Sequence, residues 1–305
     1  MTLIHPSIIV PTRNRAKSLA RLLQSLDAME IPDVLRAEIL IVDNGSTDET
    51  AAFLFGEQSK PRKILLRAIQ EPEQGKANAL NRGLASAAGN VILLLDDDVV
   101  VDRRWLVGHL DCYRTNPFDA VQGKVLPGVD SEGRPADPER LREYNIPLVD
   151  YGEQVREVRG LLATNISLKR KVVEAVGVFD PRLGVGASGF GEDSEYSMRI
   201  RKAGFRVGYE PGAVVYHELN PGRYGRAYNR QIHYRKGLSR TLYRRESILF
   251  HVFPNLLANC IRFGVYRALG RREKAYKTEG RIMRYWGYLV GKARSMARSR
   301  HRPGD

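Results

Sequence analysis

The feature that most constrains this chain is the run Val91-Ile92-Leu93-Leu94-Leu95 followed at once by Asp96-Asp97-Asp98. Five apolar residues without polar alternation describe a strand covered by helices on both faces, as in a parallel sheet. Three successive carboxylates at the end of such a strand repel one another, and a fold tolerates them where a cation or a ligand compensates. In parallel α/β sheets ligands bind at the carboxyl ends of strands. Hard oxygen donors select Mg2+ or Mn2+, and such an ion usually also engages substrate phosphates. The plainer alternative is a solvated acidic turn capping a helix that starts near Asp102, although a cap needs one acid rather than three.

The segments around that run alternate strand and helix signals. Ser7–Val10 is a short β-branched run that Pro11 should stop. Leu19, Leu22, Leu23 and Leu26 then recur at helical spacing. Glu38–Val42 and Lys63–Ile69 read as further strands, and Gly75–Ala88 reads as a helix. The order β-α-β-α-β-α-β predicts an α/β fold with a mostly parallel central sheet and helices on both faces. Further on, Asp102–Tyr113 should be helical and residues 127–160 irregular. Helices are expected at Lys171–Val176 and Glu192–Ala203, and separate strands at Arg206–Tyr209 and Ala213–Tyr216.

Other candidate site residues sit at element ends, and each carries a bland alternative. Asp43, at the end of the second strand, can accept hydrogen bonds from a ribose or base, or can close an Asx turn. Pro11 and Arg13 can line a nucleotide pocket, or belong to a turn and cap. Lys76 opens a helix where a diphosphate can bind, or is simply solvated; the glycine spacing of a Walker A loop is missing. Glu192 and Asp193 open a helix after a glycine-rich stretch. They can supply a general base or only favour the helix dipole. His217 ends a strand and can ligate a metal or phosphate, or be structural.

Composition enters with the tail. The formal charge is +14, yet residues 221–305 hold 21 Lys/Arg against 4 Asp/Glu, so the first 220 residues are near neutral. The main break falls at Asn220-Pro221-Gly222, giving an expected division into residues 1–220 and a basic helical extension, 221–305. Cys112 and Cys260 are too few for a disulfide framework or a cysteine zinc site. No segment reads as the roughly 20 apolar residues of a spanning helix, and no leader pattern opens the chain. The expected location is cytoplasmic, peripheral at the cytosolic membrane face.

Taken in order, eight stretches resemble family 2 glycosyltransferases, which have a GT-A fold. They are Ser7–Asn14, Ile41–Asp48, Gly75–Asn81, Leu94–Asp98, Thr164–Ser167, Val178–Pro181, Gly191–Asp193 and Val215–His217. The resemblance covers about residues 5–220. It implies an inverting transferase acting on a nucleotide-diphosphate sugar, most often a UDP-sugar, with Mn2+ or Mg2+. Carried over, Pro11, Arg13 and Asp43 would hold the nucleoside and Lys76 would lie near the nucleotide. Asp96, Asp97 and Asp98 would form the DxD segment, with Asp96 towards the ribose and Asp98 on the metal. Asp193 would be the general base with Glu192 beside it, and His217 matches a histidine that often follows the last core strand. The Gln-x-x-Arg-Trp signature of processive polymerases is missing, so one sugar per encounter is expected.

In the tail, Leu257, Ile261, Val265 and Leu269 lie four apart, and Ile282, Tyr285, Trp286, Leu289 and Val290 form a second stripe. Apolar stripes bordered by cations suit helices lying in a membrane interface; packing on the catalytic domain is the alternative. The expected partners are a nucleotide-sugar donor, a saccharide or lipid-linked acceptor and an anionic membrane, with no nucleic acid. The rival readings are a non-catalytic sugar-nucleotide binder and a nucleic-acid or anionic-surface binder acting through the tail.

Overall fold

The structure, a computed structural model, describes residues 4–31, 36–130, 132–135 and 147–300. Its contacts divide into two compact units. One holds the sheet and its helices, and the other holds residues from Pro221 onward together with Arg182–Gly191.

The first unit is built on strands β1 (Pro6–Thr12), β2 (Glu38–Asp43), β3 (Leu65–Gln70), β4 (Val91–Leu95), β5 (Val99–Val101), β6 (Ala120–Asp130), β7 (Arg156–Glu157), β8 (Asn165–Lys169) and β9 (Val207–Leu219). They form one sheet in the order β3-β2-β1-β4-β8-β6-β9-β5, with β7 paired to β9. The half β3-β2-β1-β4 is wholly parallel. β8 runs antiparallel between β4 and β6, while β6 and β9 pair in parallel. The sheet is therefore mixed. Its helices are α1 (Ala16–Ala28), α2 (Thr50–Gln58), α3 (Lys76–Ser86), α4 (Trp105–Thr115), α5 (Arg170–Val176) and α6 (Glu192–Lys202).

Side-chain alternation along the central strands shows why their sequences lack polar residues. Ile8, Val10, Ile39, Ile41, Leu93 and Leu95 enter one apolar cluster with the leucines of α1. Ile9, Leu40, Val42, Ile92 and Leu94 enter another with Leu80 and Leu84 of α3. Both faces are dry, so both residue parities must be apolar. α3 lies so close to β1 that a Cβ on Gly83 would come within 2.3 Å of Ile9 Cγ2.

Several boundaries differ from the sequence reading. β1 runs through Pro11 to Thr12. Its pairing with β4 ends at Ile9, and beyond that point Pro11 lies only beside Val42 of β2. The missing N–H therefore removes no bond of the β4 ladder. The two strands expected around residues 206–216 are one, β9, whose register against β6 shifts between Gly123 and Lys124. Glu210-Pro211-Gly212 looks like a turn in sequence and is absorbed as that irregularity. Of the expected irregular stretch 127–160, β6 takes the start and residues 136–146 lie outside the described residues.

The second unit contains α7 (Gly225–Tyr243), α8 (Phe253–Ala268) and α9 (Arg272–Arg300). α7 and α9 approach through glycines. A Cβ on Gly237 would meet the Arg284 carbonyl at 2.1 Å, and one on Gly287 would meet the Tyr234 carbonyl at 2.1 Å. Glu279 of α9 accepts a two-pronged bond from Arg226 of α7 at 2.6 and 2.8 Å. A π-turn, Ile248–Val252, leads directly into α8.

Candidate active site

Asp96, Asp97 and Asp98 fill the bend between β4 and β5, at the carboxyl end of the central strand. Each carboxylate is held by a different element. Asp96 Oδ2 accepts from the Thr164 hydroxyl at 2.7 Å, and its Oδ1 pairs with the Lys76 ammonium. Asp97 Oδ2 accepts from the Thr12 hydroxyl at 2.7 Å. Asp98 is buried, with Oδ2 at 3.8 Å from the Arg15 guanidinium and Oδ1 at 3.4 Å from His217 Nε2. His217 reaches it because β5 and β9 pair with Val99 opposite His217.

The local electrostatics follow from burial. Burial alone would raise the Asp96 carboxyl, but Lys76 and the Thr164 hydroxyl hold it at about 2. Asp97 goes the other way, to about 7, through burial and the neighbouring Asp98 charge. Burial would lower the Lys76 ammonium, yet Asp96, Glu192 and Asp193 outweigh it and raise its pKa. Lys76 thus stands electrostatically between the triple aspartate and the acids that open α6.

Those acids differ from each other. Glu192 is buried and is pushed up to about 8, first by desolvation and then by Asp193. Asp193 is half-buried, and its Oδ2 accepts from the Ala163 amide at 3.4 Å. Both sit in the first turn of α6, so the dipole-favouring role of these acids is also available to them.

The candidate nucleoside residues lie at the same edge of the sheet. Pro11 is buried near the end of β1, and Arg13 is exposed just beyond it. Asp43 ends β2, where Oδ1 accepts from the Ser46 amide at 3.0 Å and Oδ2 accepts from Gln70 Nε2 at 3.1 Å. The bond to Ser46, three residues on, braces the turn that follows β2.

Sequence reasoning assigned no role to several residues that build the site. Arg15 is the cation beside Asp98. Thr12 and Thr164 orient Asp97 and Asp96. Asn44 pins the loop that delivers Lys76: its Nδ2 donates to the Glu71 and Glu73 carbonyls, and its Oδ1 accepts from the Gly75 amide at 2.7 Å. Asn165 is fully buried and makes four bonds. Its Oδ1 accepts from Trp105 Nε1 at 2.8 Å and His109 Nε2 at 3.0 Å, and its Nδ2 donates to the Lys124 and Ala213 carbonyls at 2.9 and 2.8 Å. It joins α4, β6, β8 and β9 directly behind Thr164. Asn44, Thr164 and Asn165 all lie in stretches that carry the resemblance, which was the available signal.

Asp96, Asp98 and His217 present ligand atoms within 4.8 Å of one another. His217 Nδ1 donates to the Glu218 carbonyl at 2.8 Å, so in the neutral imidazole the Nε2 lone pair is directed at Asp98. Two acceptors facing each other suit a cation, and a backbone carbonyl fixing the ring is the usual outer support of a metal-bound histidine. Two carboxylates and one imidazole are a donor set that could hold a divalent metal ion.

Comparison with known proteins agrees with this geometry. The family described as "Glycosyl transferase family 2" matches residues 7–177. The succinoglycan biosynthesis protein ExoM of Rhizobium meliloti is 28% identical over 239 residues, covering 77% of this chain and 73% of ExoM. Among solved structures, the mannosyltransferase PcManGT from Pyrobaculum calidifontis in complex with GDP-Man and Mn2+ superposes with a TM-score of 0.59 at 18% identity, covering 100% of this chain and 77% of that one. S. aureus TarS in complex with UDP-GlcNAc gives 0.54 at 17% identity, covering 96% and 92%. These structures share the GT-A fold. The family match ends before Glu192, Asp193 and His217.

Proposed function

Because the chain belongs to glycosyl transferase family 2 and is a glycosyltransferase, we propose that it moves a sugar from a UDP-sugar to a hydroxyl of a saccharide or lipid-linked acceptor, with inversion at the anomeric carbon. The observation that carries this reading is the convergence of the aspartate bend, Lys76 and the α6 acids in one unit. In this assignment residues 1–220 are the catalytic domain and 221–305 the extension.

Pro11, Arg13 and Asp43 hold the nucleoside, with Asp96 turned to the ribose and Asp97 beside it. Asp98 and His217, together with Asp96, would hold a divalent ion. When bound, that ion neutralises charge on the departing diphosphate without proton transfer. The Arg15 and Lys76 cations border the same space. Glu192 is buried, its carboxyl raised by desolvation and by Asp193; Asp193, half-buried beside it, is assigned as the base. An acceptor oxygen attacks the anomeric carbon, its proton passes to the Asp193 carboxylate, and the bond to the diphosphate breaks with its electron pair leaving on the phosphate. No covalent sugar–protein intermediate is needed.

ExoM's name supports polysaccharide assembly as the setting, and the basic, apolar-striped extension supports a cytosolic membrane face with anionic lipid as the place. The test is Asp193→Asn: transfer from UDP-sugars should fall by about 10²–10⁴ while UDP still binds with Mn2+. Unchanged transfer would remove Asp193 as base.

A further inference from the structure

We propose that the π-turn Ile248–Val252 and α8 form a lipid-docking face that lies in the plane of an anionic membrane, with Phe250, Phe253, Leu257 and Ile261 in the acyl boundary. The inference rests on the membrane setting given above and names the surface that meets it.

The helix has two apolar faces and only one is covered. Val252 and Asn259 are buried, and Leu256, Phe263 and Tyr266 on the same side are half-buried. That spacing of three and four is the face packed on α9. The other face is open. Phe250 is 83% exposed, Leu249 68%, Ile261 61%, Phe253 58% and Leu257 54%. Contiguous apolar exposure of this kind marks an interaction surface. The second stripe expected in the tail behaves differently: Ile282, Tyr285, Leu289 and Val290 are half-buried, and Trp286 alone of that group is exposed.

Charge selects the occupant. Residues 247–272 contain no Asp or Glu, whereas Arg262, Arg267, Arg271 and Arg272 are exposed within or just after α8, and Arg245 precedes it; Arg244 pairs with Glu246 at 3.0 Å. A second copy seated on this face in a two-fold contact would set each arginine against the partner's arginines. An anionic headgroup layer complements them.

Length alone permits another arrangement. The continuous helix Ile248–Ala268 has 21 residues, and an 18-residue window within it has a mean hydropathy of 1.4. This departs from the sequence expectation that no segment is long and apolar enough to cross, because the π-turn and α8 fuse into one helix. At about 1.5 Å per residue it spans roughly 30 Å, close to a bilayer core. Packing argues for the plane. The covered face of α8 lies on α9, which carries Glu273, Lys274, Lys277, Glu279, Arg281 and Arg284. Crossing the bilayer would draw that charge into hydrocarbon, whereas lying flat leaves it on the aqueous side.

The full chain offers its own probe. Cys260 is exposed next to Ile261, while Cys112 is buried and its thiol is pushed up to about 12 by desolvation, so a polarity-sensitive maleimide dye labels Cys260. The experiment measures co-sedimentation and dye emission with vesicles of phosphatidylcholine, alone and mixed with phosphatidylglycerol. Binding is expected only with the anionic lipid, with a blue shift of the dye. It should weaken about fivefold for each of Arg262→Gln and Arg267→Gln, and ~10-fold or more in Leu257→Glu/Ile261→Glu. Circular dichroism of these surface variants should match the parent. Vesicle binding without a dye shift, or unchanged binding of the double variant, would overturn the α8 face while sparing the membrane setting. Absence of vesicle binding would overturn both. Resistance to alkaline carbonate extraction would overturn the in-plane arrangement, and concentration-dependent dimers lost in Leu257→Glu would favour a second copy. Sugar transfer to a soluble acceptor, assayed in parallel, reads the catalytic proposal separately.

Discussion

Asn165→Leu removes, at nearly constant volume, the side chain that satisfies four groups in the interior of the first unit. Trp105 Nε1 and His109 Nε2 lose an acceptor, and the Lys124 and Ala213 carbonyls lose a donor. Asn165 is fully buried, so water does not replace it. Leaving one buried polar group unpaired costs about 1–3 kcal/mol, so four cost about 4–12 kcal/mol. Whole domains are stable by about 5–15 kcal/mol. The variant should therefore be largely unfolded or insoluble at 25 °C. His109→Phe supplies the graded control. It orphans far less, because Asn165 Oδ1 keeps Trp105 and the Ser167 hydroxyl keeps the Tyr113 hydroxyl at 3.0 Å, and its cost should stay near 1–2 kcal/mol. Urea unfolding followed by tryptophan fluorescence measures both. If Asn165→Leu folds and loses less than about 2 kcal/mol, or if His109→Phe is the worse of the two, the account of Asn165 as the shared partner is wrong.

Other expectations follow from the same geometry. The His109 imidazole, buried and held at about 4, stays neutral in the folded chain but charges near 6.5 when unfolded. Stability should be intact above pH 6.5 and should fall by about 3 kcal/mol as the pH drops towards 4, a slope that His109→Phe should flatten in urea titrations across that range. Asp98→Ala should abolish the Mn2+-dependent part of the thermal shift given by UDP, and an undiminished shift would remove Asp98 from the ion. Gly83→Ala puts a methyl group within 2.3 Å of Ile9 Cγ2. It should destabilise by about 1–3 kcal/mol although alanine favours helices, and a stabilised variant in thermal melts would mean that α3 shifts freely.

The sequence carried the central strands because their apolar runs and helix spacings are local. It carried the aspartate bend for the same reason: like charges at a strand end are improbable without a purpose. His217 was legible only as a strand-end histidine, and its approach to Asp98 depends on β9 pairing with β5, a contact 119 residues apart in the chain that no local pattern encodes. Arg15 and Asn44 received no role from the sequence, because their contacts with Asp98 and with the Glu71–Gly75 loop join segments far apart in the chain. Pro11 was misread as a strand end because its cost depends on which neighbour its nitrogen faces. The tail stripe at Leu257, Ile261, Val265 and Leu269 was visible, but periodicity is the same for a buried and an open face, and only packing on α9 separates them.

The pairing of Val99 with His217 also sets a schedule for synthesis. Asp96 and Asp98 leave the ribosome about 120 residues before His217, and at 5–20 residues per second that interval lasts roughly 6–24 s. During it the nascent chain carries the acidic bend without the imidazole that completes the donor set. If Asp96, Asp98 and His217 hold a divalent ion as proposed, its full affinity would arrive only when β9 docks on β5, so the ion would be captured by a finished sheet and not by the emerging acidic segment.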